Sequence, residues 1–504
     1  MPAPEPVAAT VPESDASAAG NDADGADEKG SAESEVAAAA GTLQPGSGSA
    51  DEGGSPRRRR RRRRRGSGIP GGSSFAGHGG SPVHLGVGGV PVAAPAPSRP
   101  QAAAPRAPLA PRAPVVPPHA PPQGGGRAEP VICSGVIEIL QDGTGFLRSV
   151  QHDMEERRED PLVPHHIVQR FRLHQGSLIE ARGVRFPNHP GPKVEFVDAV
   201  DGFSPGAAQQ RHNFKRLVVI DPDFHYELGT FRQEGQVSMR VADLLCPIGR
   251  GQRGLIVAPP RTGKTTLLTN IAAAMESLYP DVHLIVLLAD ERPEEGTAWK
   301  RSVQRGEVYV STMDEAPEHH VRLAELVQAR AERLVETGKE VMILLDSITR
   351  LTRAYNNMLG GKNARTMSGG LDARVFQQPK HFFGAARNTE NGGSLTILAT
   401  TLVDTGSKMD QVIFEEFKGT GNMELTLDRR LADRRVFPAI DIEHTGTRKE
   451  ERLLTRATLK KVEILRRVLA RLKPREAMEM LIDRLGRYAS NQDFLNAFSL
   501  DDVQ

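Results

Sequence analysis

One segment places a lysine and threonines between an apolar run and a helical pattern. Residues 255–257 are Leu-Ile-Val, residues 258–265 include Gly263 and Lys264, and residues 266–274 have helical character. Backbone amides of such a loop can surround phosphates, and the positive end of the helix dipole favours them. Lys264 would contact the β- and γ-phosphates of ATP, and the Thr265 hydroxyl would bind Mg²⁺. The residues expected to bind the nucleotide are Pro259, Pro260, Arg261, Thr262, Gly263, Lys264, Thr265 and Thr266.

Two carboxylates follow apolar runs farther along the chain. Asp346 ends the run 342–345, where a carboxylate can hold the water shell of Mg²⁺ beside the phosphates. Glu291 lies just past the run 284–288, where a glutamate can orient and deprotonate the attacking water. Because four carboxylates surround the neighbouring Arg292, an exposed charged loop is the alternative interpretation. The spacing predicts a catalytic base at Glu291 and a second Mg²⁺-binding residue at Asp346.

Two basic clusters lie far along the chain from this loop. They contain Arg434, Arg435 and Arg448. Phosphate-loop ATPases often need an extra positive charge on the γ-phosphate in the transition state, which an arginine finger supplies. These arginines are candidates for that role in the site of a neighbouring subunit, and salt-bridged surface arginines are the alternative.

The apolar runs define the elements that must position these residues. Runs at 255–257, 284–288, 342–345 and 395–399 alternate with helical patterns. Such runs suit strands buried on both faces, and their alternation with helices predicts a parallel sheet. We expect a helix after Pro317 that ends near Gly338, with His319 and His320 on its surface, and a helical region over residues 450–488. An α/β RecA-like ATPase domain over residues 217–504 is therefore predicted.

A smaller patterned region precedes this domain. Residues 136–140 alternate apolar and polar side chains, residues 141–143 form a turn, and short strands are expected at 145–150, 178–184 and 194–200. Several short strands within about 70 residues favour a small β-barrel. We predict a barrel domain over residues 130–203 and a linker over residues 204–216.

Residues 1–129 are rich in Ala, Pro, Gly and Ser and contain few large apolar side chains. Such a segment cannot bury enough apolar surface to offset its ordering entropy, which predicts a disordered tail. Residues 1–55 carry 11 acidic side chains against Lys29 alone, a net charge of −10, and nine arginines follow from Arg57 to Arg65. The arginine run predicts nonspecific contacts with nucleic acid, and a solvated tail is the alternative.

Composition excludes several classes of protein. Cys133 and Cys246, the two cysteines, suit neither a disulfide framework nor a zinc site. No apolar run approaches the roughly 18–20 residues that cross a bilayer, and the N-terminus has no signal-peptide pattern. We expect a cytoplasmic protein with no membrane association.

Several blocks of sequence closely resemble the bacterial transcription termination factor Rho family. They are residues 247–260, 290–295, 346–350, 381–388, 404–410, 415–425, 435–441 and 446–451, and the resemblance covers about residues 131–500. It implies a homohexameric ring that binds single-stranded nascent RNA and hydrolyses ATP between subunits. The ring would move 5′ to 3′ and dissociate RNA polymerase or unwind an RNA–DNA hybrid.

The same resemblance assigns roles to individual residues. Lys264 and Thr265 match the residues on the phosphates and Mg²⁺, Asp346 matches the second acid, and Glu291 with Arg292 beside it matches the catalytic glutamate. Arg448 matches the finger that acts in the neighbouring subunit, Arg435 a second γ-phosphate sensor, and Phe437 the ring that stacks on adenine.

Two RNA-binding regions are also implied by the resemblance. Loops around residues 360–370 and 405–408 would line the pore of the ring, although a Gly- and Lys-rich loop is equally compatible with a mobile surface connection. The barrel resembles a cold-shock-like OB fold, in which Thr144 and Leu162 replace stacking aromatics of the family and predict weaker base stacking. The residues expected to contact RNA are Asp142, Phe146, Arg148, Lys362, Arg365, Gly369, Gly370, Thr405, Gly406, Ser407 and Lys408.

Two other functions share part of this pattern. A catalytic subunit of a rotary ATP synthase has the same type of core and a similar Glu-Arg pair after the middle strand. A passive RNA-binding protein with a degenerate ATPase is the other alternative, although no residue needed for turnover is visibly missing. RNA-stimulated ATP hydrolysis distinguishes an RNA helicase and transcription terminator from both.

Overall fold

The computed structural model describes residues 129–187, 189–359, 370–372 and 374–497. Within these ranges, no helix is both long and apolar enough to span a membrane. Residues 1–128, which make up nearly all of the predicted tail, lie outside the described residues, as do the pore-loop residues Lys362, Arg365 and Gly369.

Short strands close into a barrel at the beginning of the described chain. Their bounds are β1 (Glu129–Ile139), β2 (Gly145–Arg148), β3 (Leu162–Val163), β4 (Leu178–Arg185) and β5 (Lys193–Val200), with α1 (His165–Phe171) between β3 and β4. The order around the barrel is β1-β2-β3-β5-β4. Alternate side chains such as Ile137, Leu147 and Val197 point inward and are buried. The predicted barrel is confirmed, but β3 is too short to give a sequence pattern.

Short elements connect the barrel to the larger domain. They are α2 (Pro205–Ala208), a 3₁₀ turn (Phe214–Arg216), β6 (Val219–Ile220), β7 (His225–Tyr226), α3 (Gln236–Leu245) and β8 (Ile248–Gly249). Phe214 is buried, and its backbone N–H donates to Glu336 Oε1 at 2.7 Å. The segment expected as a linker is therefore attached to the larger domain at its end.

A mainly parallel sheet forms the centre of this domain. Its strands are β9 (Arg253–Ala258), β10 (His283–Glu291), β11 (Glu307–Thr312), β12 (Glu340–Asp346), β13 (Arg387–Thr389), β14 (Ser394–Leu402), β15 (Met423–Thr426) and β16 (Gly446–Thr447). The order is β11-β10-β12-β14-β9-β15-β16, and the pairs from β11 to β15 are parallel. The predicted parallel sheet is confirmed, and the carboxyl ends of these strands share one edge.

Helices cover both faces of the sheet. They are α4 (Lys264–Leu278), α5 (Pro293–Ser302), α6 (Pro317–Glu336), α7 (Ile348–Leu359), α8 (Gln377–Gly384), α9 (Lys408–Lys418), α10 (Arg429–Asp433), α11 (Arg456–Leu469), α12 (Pro474–Gly486) and α13 (Asn491–Ala497). Along β9, Ile256 joins the apolar cluster of α3, α4 and α11–α13, whereas Leu255 and Val257 join the cluster of α6–α9. Burial on both faces explains why this strand reads as a continuous apolar run.

Helix α6 starts at Pro317 as predicted, but one of its histidines is placed differently. His319 is partly exposed, whereas His320 is 4% exposed and its Nδ1 lies 2.9 Å from Ser311 Oγ. The prediction that both are surface residues is wrong for His320, because this residue lies on the side of α6 that packs against β11.

Candidate active site and nucleic-acid interface

The loop between β9 and α4 has the shape of a phosphate-binding loop. Gly263 is the N-cap of α4 with φ 86°, a left-handed conformation that glycine adopts without steric cost. The Thr262 hydroxyl donates to the Pro259 carbonyl oxygen at 2.8 Å and closes the turn. The first backbone amides of a helix have no partner within it, so those of α4 can bind phosphate oxygens. Pro260, Arg261 and Thr266 are exposed around this loop.

Three charged groups predicted to share a site meet at the carboxyl edge of the sheet. Strands β10 and β12 are adjacent and parallel, with Leu288 level with Asp346, so their ends bring Glu291 and Asp346 together. Both side chains are buried. Lys264 Nζ lies 2.5 Å from Asp346 Oδ1 and 3.8 Å from Glu291 Oε2. The sheet therefore positions Lys264 directly beside both carboxylates.

The oxygen atoms around Lys264 fit a divalent cation. Oxygens of Glu291, Glu295 and Asp346 lie within 4.8 Å of one another. The Thr265 hydroxyl lies 3.4 Å from Glu295 Oε2. Asp346 Oδ2 and Glu291 Oε2 are buried and accept no hydrogen bond from the described residues. Because Mg²⁺ prefers oxygen ligands and retains water, two such oxygens beside a threonine hydroxyl suit it.

Glu291 has the surroundings of a general base. Burial raises its pKa, while the positive charges of Arg350 and Lys264 oppose that rise. Arg350 Nη2 donates to Glu291 Oε1 at 3.1 Å, and Arg350 Nη1 donates to the Asp290 carbonyl oxygen. Arg350 belongs to the block 346–350, but the sequence gives no sign of this contact, because Glu291 lies 59 positions away in the chain.

Arg292 occupies a different environment from Glu291. Its side chain is exposed, and it forms the N-cap of α5. Its backbone N–H lies 3.3 Å from Glu291 Oε1. Arg292 thus contacts Glu291 through its main chain. Among the described residues, its guanidinium contacts neither Lys264 nor Asp346.

A cavity beside the phosphate loop suits a flat ring. It has a volume of about 260 Å³ and a mainly apolar wall that includes Thr266, Asn270, Phe437 and Pro438. Phe437 is 46% exposed, and a Cβ on Gly263 would lie 3.6 Å from its ring. An exposed aromatic ring next to the phosphate loop is the arrangement expected for stacking on a base.

Arg448 and the phosphate loop lie at opposite ends of the strands of the sheet. Met423 of β15 pairs with Gly254 at the start of β9 and with Thr447 of β16. Arg448 is therefore level with the start of β9, whereas the loop follows its end at Ala258. At about 3.3 Å per residue, the strand alone separates them by roughly 15 Å. The exposed Arg448 does not reach the phosphate loop of its own chain.

Arg435 is also exposed, two residues before Phe437, and has φ 61°. Arg434, the third finger candidate, is exposed beside it. Both arginines precede Phe437, whose ring lines the cavity, by two or three residues in the chain.

The second predicted pore loop is held by a network at the start of α9. Thr405 Oγ1 donates to Asp410 Oδ2 at 2.5 Å, and the Ser407 side chain accepts from the Asp410 backbone N–H. Arg353 of α7 donates to both oxygens of Asp410 at 2.5 and 2.6 Å. Gly406 has φ 79° with open space around it, and Lys408 is exposed. The network therefore joins α7, which ends at Leu359, to the start of α9. Gly370, which belongs to the first predicted pore loop, has φ 79°.

The barrel presents one aromatic ring where the family resemblance implied more. Phe146 on β2 is partly exposed and pairs with Leu162 on β3. Asp142 accepts hydrogen bonds from the Thr144 hydroxyl at 2.7 Å and the Thr144 backbone N–H at 2.9 Å, which lower the pKa of Asp142. The replacements at Thr144 and Leu162 therefore lie beside Phe146, and neither supplies a second ring.

Arg148, which was predicted to contact RNA, is largely buried beside Phe146. Its side chain is 5% exposed and forms ion pairs of 2.6 Å with Glu138 and Asp160. Its guanidinium carbon lies 5.0 Å from the centre of the Phe146 ring. Arg148 thus lies against the Phe146 ring, and its contact with RNA stays a prediction. An arginine next to an outward aromatic gives no sequence signal of burial.

Comparison with known proteins agrees with this architecture. Residues 133–205 match the model of the Rho termination factor RNA-binding domain, and residues 238–445 match that of the ATP synthase alpha/beta family nucleotide-binding domain. A transcription termination factor Rho from Aquifex aeolicus is 47% identical over 374 residues, which cover 73% of this chain and 85% of that protein. The one from Haemophilus influenzae is 50% identical over 73% of this chain and 87% of that protein.

Among solved structures, an ATPase of a type III secretion system is similar with a TM-score of 0.46 and 23% identity, over 57% of this chain and 83% of that one. This likeness is weak in both sequence and structure. The curated relatives are similar along most of their own length. On that basis, the chain belongs to the transcription termination factor Rho family.

Proposed function

We propose that this protein terminates transcription by binding nascent RNA, moving along it with energy from ATP hydrolysis, and releasing it from RNA polymerase in the cytoplasm. The observation that carries the proposal is the joining of a Rho-type RNA-binding barrel, residues 133–205, to a site in which Lys264 lies beside Glu291 and Asp346. The RNA-binding barrel argues against a rotary ATP synthase subunit. The position of Lys264 beside Glu291 and Asp346 argues against a degenerate ATPase.

In the proposed reaction, the chain positions ATP and activates water. Backbone amides at the start of α4 and the Lys264 ammonium bind the phosphates, while Phe437 stacks on the base. Thr265 and Asp346 would hold Mg²⁺, which neutralises phosphate charge when bound. Glu291 accepts the proton of the attacking water, and Arg350 holds its carboxylate in place at 3.1 Å.

The proposed assembly is a homohexameric ring with ATP between subunits. Arg448 is exposed at the end of the strands that lies opposite its own phosphate loop. Its guanidinium can therefore contact γ-phosphate only across a subunit boundary. The backbone N–H of Arg448 donates to the Asn422 carbonyl oxygen at 2.9 Å, and the adjacent Lys449 pairs with Asp221 at 2.9 Å. These contacts hold the backbone at Arg448 and Lys449 in place. Arg435, beside the base cavity, is the proposed second γ-phosphate sensor.

RNA is proposed to contact three regions. Phe146 stacks on a base at the barrel, and residues 360–370 and 405–408 grip phosphates in the pore through Lys362, Arg365 and Lys408. The arginine run 57–65 adds nonspecific phosphate attraction.

ATP hydrolysis by the purified full chain, with and without single-stranded RNA of varied composition, tests the function. We expect hydrolysis to rise severalfold with RNA and to depend on its composition. An equal rate with and without RNA would reject the proposed motor and leave an RNA-independent ATPase.

A further inference from the structure

The proposed arginine finger follows a short strand at the margin of the sheet. β16 contains only Gly446 and Thr447 and pairs with β15, and no described strand pairs with its other side. Arg448 comes directly after it, and Lys449 turns the chain with φ 57°. An edge strand leaves one row of its backbone groups unpaired. The position of the finger turn, residues 447–452, therefore depends on contacts beyond the sheet.

Arg466 of α11 supplies such a contact to the residue that ends this turn. Glu450 begins a 3₁₀ turn two residues after Arg448. Arg466 Nη1 donates to Glu450 Oε1 at 2.6 Å, and Arg466 Nη2 donates to Glu450 Oε2 at 2.7 Å. Two parallel hydrogen bonds between a guanidinium and a carboxylate set their orientation as well as their distance. The finger turn is therefore held in one orientation relative to α11.

The same guanidinium is bonded to a fixed element of the core. Arg466 Nη2 also donates to the carbonyl oxygen of Leu245, the last residue of α3, at 2.9 Å. A carbonyl at a helix C-terminus has no partner within the helix, so a side-chain donor satisfies it. Leu245 is fully buried, and Leu244 of α3 and Leu465 of α11 belong to one apolar cluster. Arg466 thus attaches the finger turn to the core.

The segment before the finger is attached to the same place. The Thr447 hydroxyl donates to the Pro247 carbonyl oxygen at 2.7 Å, and Pro247 lies two residues after the end of α3. Arg448 and Arg466 line one cavity of about 350 Å³, so the support lies beside the finger. The finger is therefore flanked by two attachments to the end of α3, one through Thr447 and one through Glu450 and Arg466.

A second ion pair of the finger turn is more exposed to water. Lys449 and Asp221 are 59% and 36% exposed, whereas Arg466 and Glu450 are 26% and 14% exposed. Exposed pairs are screened and contribute little to structure, whereas shielded pairs are screened less. Among the described residues, the contact through Arg466 is therefore the main ionic support of the turn.

We propose that Arg466 is a positioning residue for the finger, which holds the turn at Glu450 so that Arg448 reaches the γ-phosphate in the neighbouring subunit. The inference deepens the proposed function and rests on it. Arg466 acts through Glu450 rather than on the nucleotide, because both of its terminal nitrogens are engaged. A catalytic group misplaced by about 1 Å can lower the rate about 10²-fold. Loss of Arg466 should therefore resemble a weaker form of the loss of Arg448.

A buried arginine of α3 provides a matched control. Arg240 Nη1 donates to the carbonyl oxygens of Leu485 and Tyr488 at 2.7 and 2.8 Å, and its Nε donates to Asn491 Oδ1 at 2.9 Å. This arginine also joins α3 to the C-terminal helices, but none of these partners belongs to the finger turn. Arg240→Gln therefore weakens the packing of those helices without touching the support of the finger.

The first test is steady-state hydrolysis of ATP by the full chain with saturating single-stranded RNA. Arg466→Gln should lower kcat about 10- to 100-fold. The KM for ATP should change little, because the finger acts on the transition state. Arg240→Gln should nearly keep the wild-type kcat, even where it lowers the unfolding temperature as much. A kcat that follows the unfolding temperature in both variants would overturn the inference.

Mixed assemblies then locate the defect on one side of the subunit boundary. Arg466→Gln subunits mixed with Glu291→Ala subunits should regain part of the rate, because some boundaries combine an intact finger with an intact base. Arg466→Gln mixed with Arg448→Ala should gain nothing, because every boundary has a defective finger. The same result in both mixtures would contradict the positioning role.

A third mixture, Arg448→Ala with Glu291→Ala, reports on the proposed function separately. Recovery in this mixture, with none for Arg466→Gln and Glu291→Ala, would reject the positioning role alone. Absence of recovery in both would reject the finger across subunits, and the positioning role with it.

Glu450→Gln is the second variant, in case Arg466→Gln does not fold. It keeps the shape of the side chain but removes the charge that Arg466 binds, so it should show the same fall in kcat and the same pattern of recovery. Arg466→Lys retains the charge without the two-nitrogen geometry and should recover part of the rate. Full activity of Glu450→Gln would also overturn the inference.

Discussion

The nucleotide site and the outer face of the barrel serve one proposed function but are built differently. At the sheet edge, the Lys264 ammonium lies within 3.8 Å of both Glu291 and Asp346, and both carboxylates are buried. On the barrel, Phe146 pairs with Leu162 of β3, and neither Leu162 nor Thr144 supplies a second ring.

The difference follows from how each region is held together. Buried charges must be paired, so the loss of one charge at the sheet edge lowers the stability of the fold as well as the rate of hydrolysis. An exposed ring contributes to binding but little to folding, so its replacement by threonine or leucine leaves the barrel intact. The hydrolysis site is therefore constrained by the fold, whereas the RNA surface can vary in strength.

The largest expected effect separates the two regions completely. Lys264→Ala removes the ammonium that binds the phosphates and should abolish ATP hydrolysis, while RNA binding by the barrel persists. Hydrolysis and oligonucleotide binding are measured on the same sample. A parallel loss of RNA binding, with an unchanged unfolding temperature, would show that the regions are not separable in this way.

The finger assignment is tested next. Arg448→Ala should reduce hydrolysis by about 10³-fold or more, the range known for arginine fingers. Mixing Arg448→Ala with Glu291→Ala subunits should restore part of the rate, because some boundaries then combine an intact finger with an intact base. Absence of rescue in mixed assemblies, verified by size, would contradict the assignment across subunits.

The barrel should respond to a restored ring. Thr144→Phe is expected to tighten RNA binding by about 5- to 150-fold, corresponding to roughly 1–3 kcal/mol for one stacked base. Thr144→Val is the matched control, since it removes the hydroxyl bonded to Asp142 without adding a ring. Equal affinities of the two variants for a pyrimidine oligonucleotide would argue that position 144 does not contact RNA.

The pH dependence of hydrolysis should report on Glu291. Its pKa is raised by burial, and a base must be unprotonated, so the rate should fall as pH decreases while still above the ordinary glutamate value of 4.5. Arg350→Gln removes a charge that lowers this pKa and should move the acidic limb to higher pH. Arg353→Gln, one turn along α7 and paired with Asp410, should leave the limb in place. An identical limb in the wild type and Arg350→Gln would exclude Glu291 as the titrating base.

The smallest expected effect on hydrolysis comes from the tail. Deletion of residues 1–129 should weaken RNA binding and reduce the slope of log affinity against log salt, because fewer counterions are released. Hydrolysis at saturating RNA should change little. An unchanged salt slope would refute the proposed phosphate contacts of the arginine run.

The sequence predicted the elements that are buried on both faces better than the contacts between distant residues. The runs that became β9, β10, β12 and β14 were recognisable because burial on both sides demands continuous apolar residues. The burial of Arg148 was not predictable, because its partner Asp160 and the supporting Glu138–Arg322 pair come together only in the fold. His320 was misplaced for a similar reason: its polar partner, Ser311, lies on a different element.

The chain contains a single tryptophan, Trp299, in α5. This residue is 2% exposed and lies eight positions after Glu291, next to Lys300, which pairs with Asp153 of the barrel. Light absorbed near 295 nm therefore excites one indole between the proposed hydrolysis site and the barrel. The natural protein carries its own optical probe there, and a change in emission on adding nucleotide or oligonucleotide reports local rearrangement without any label.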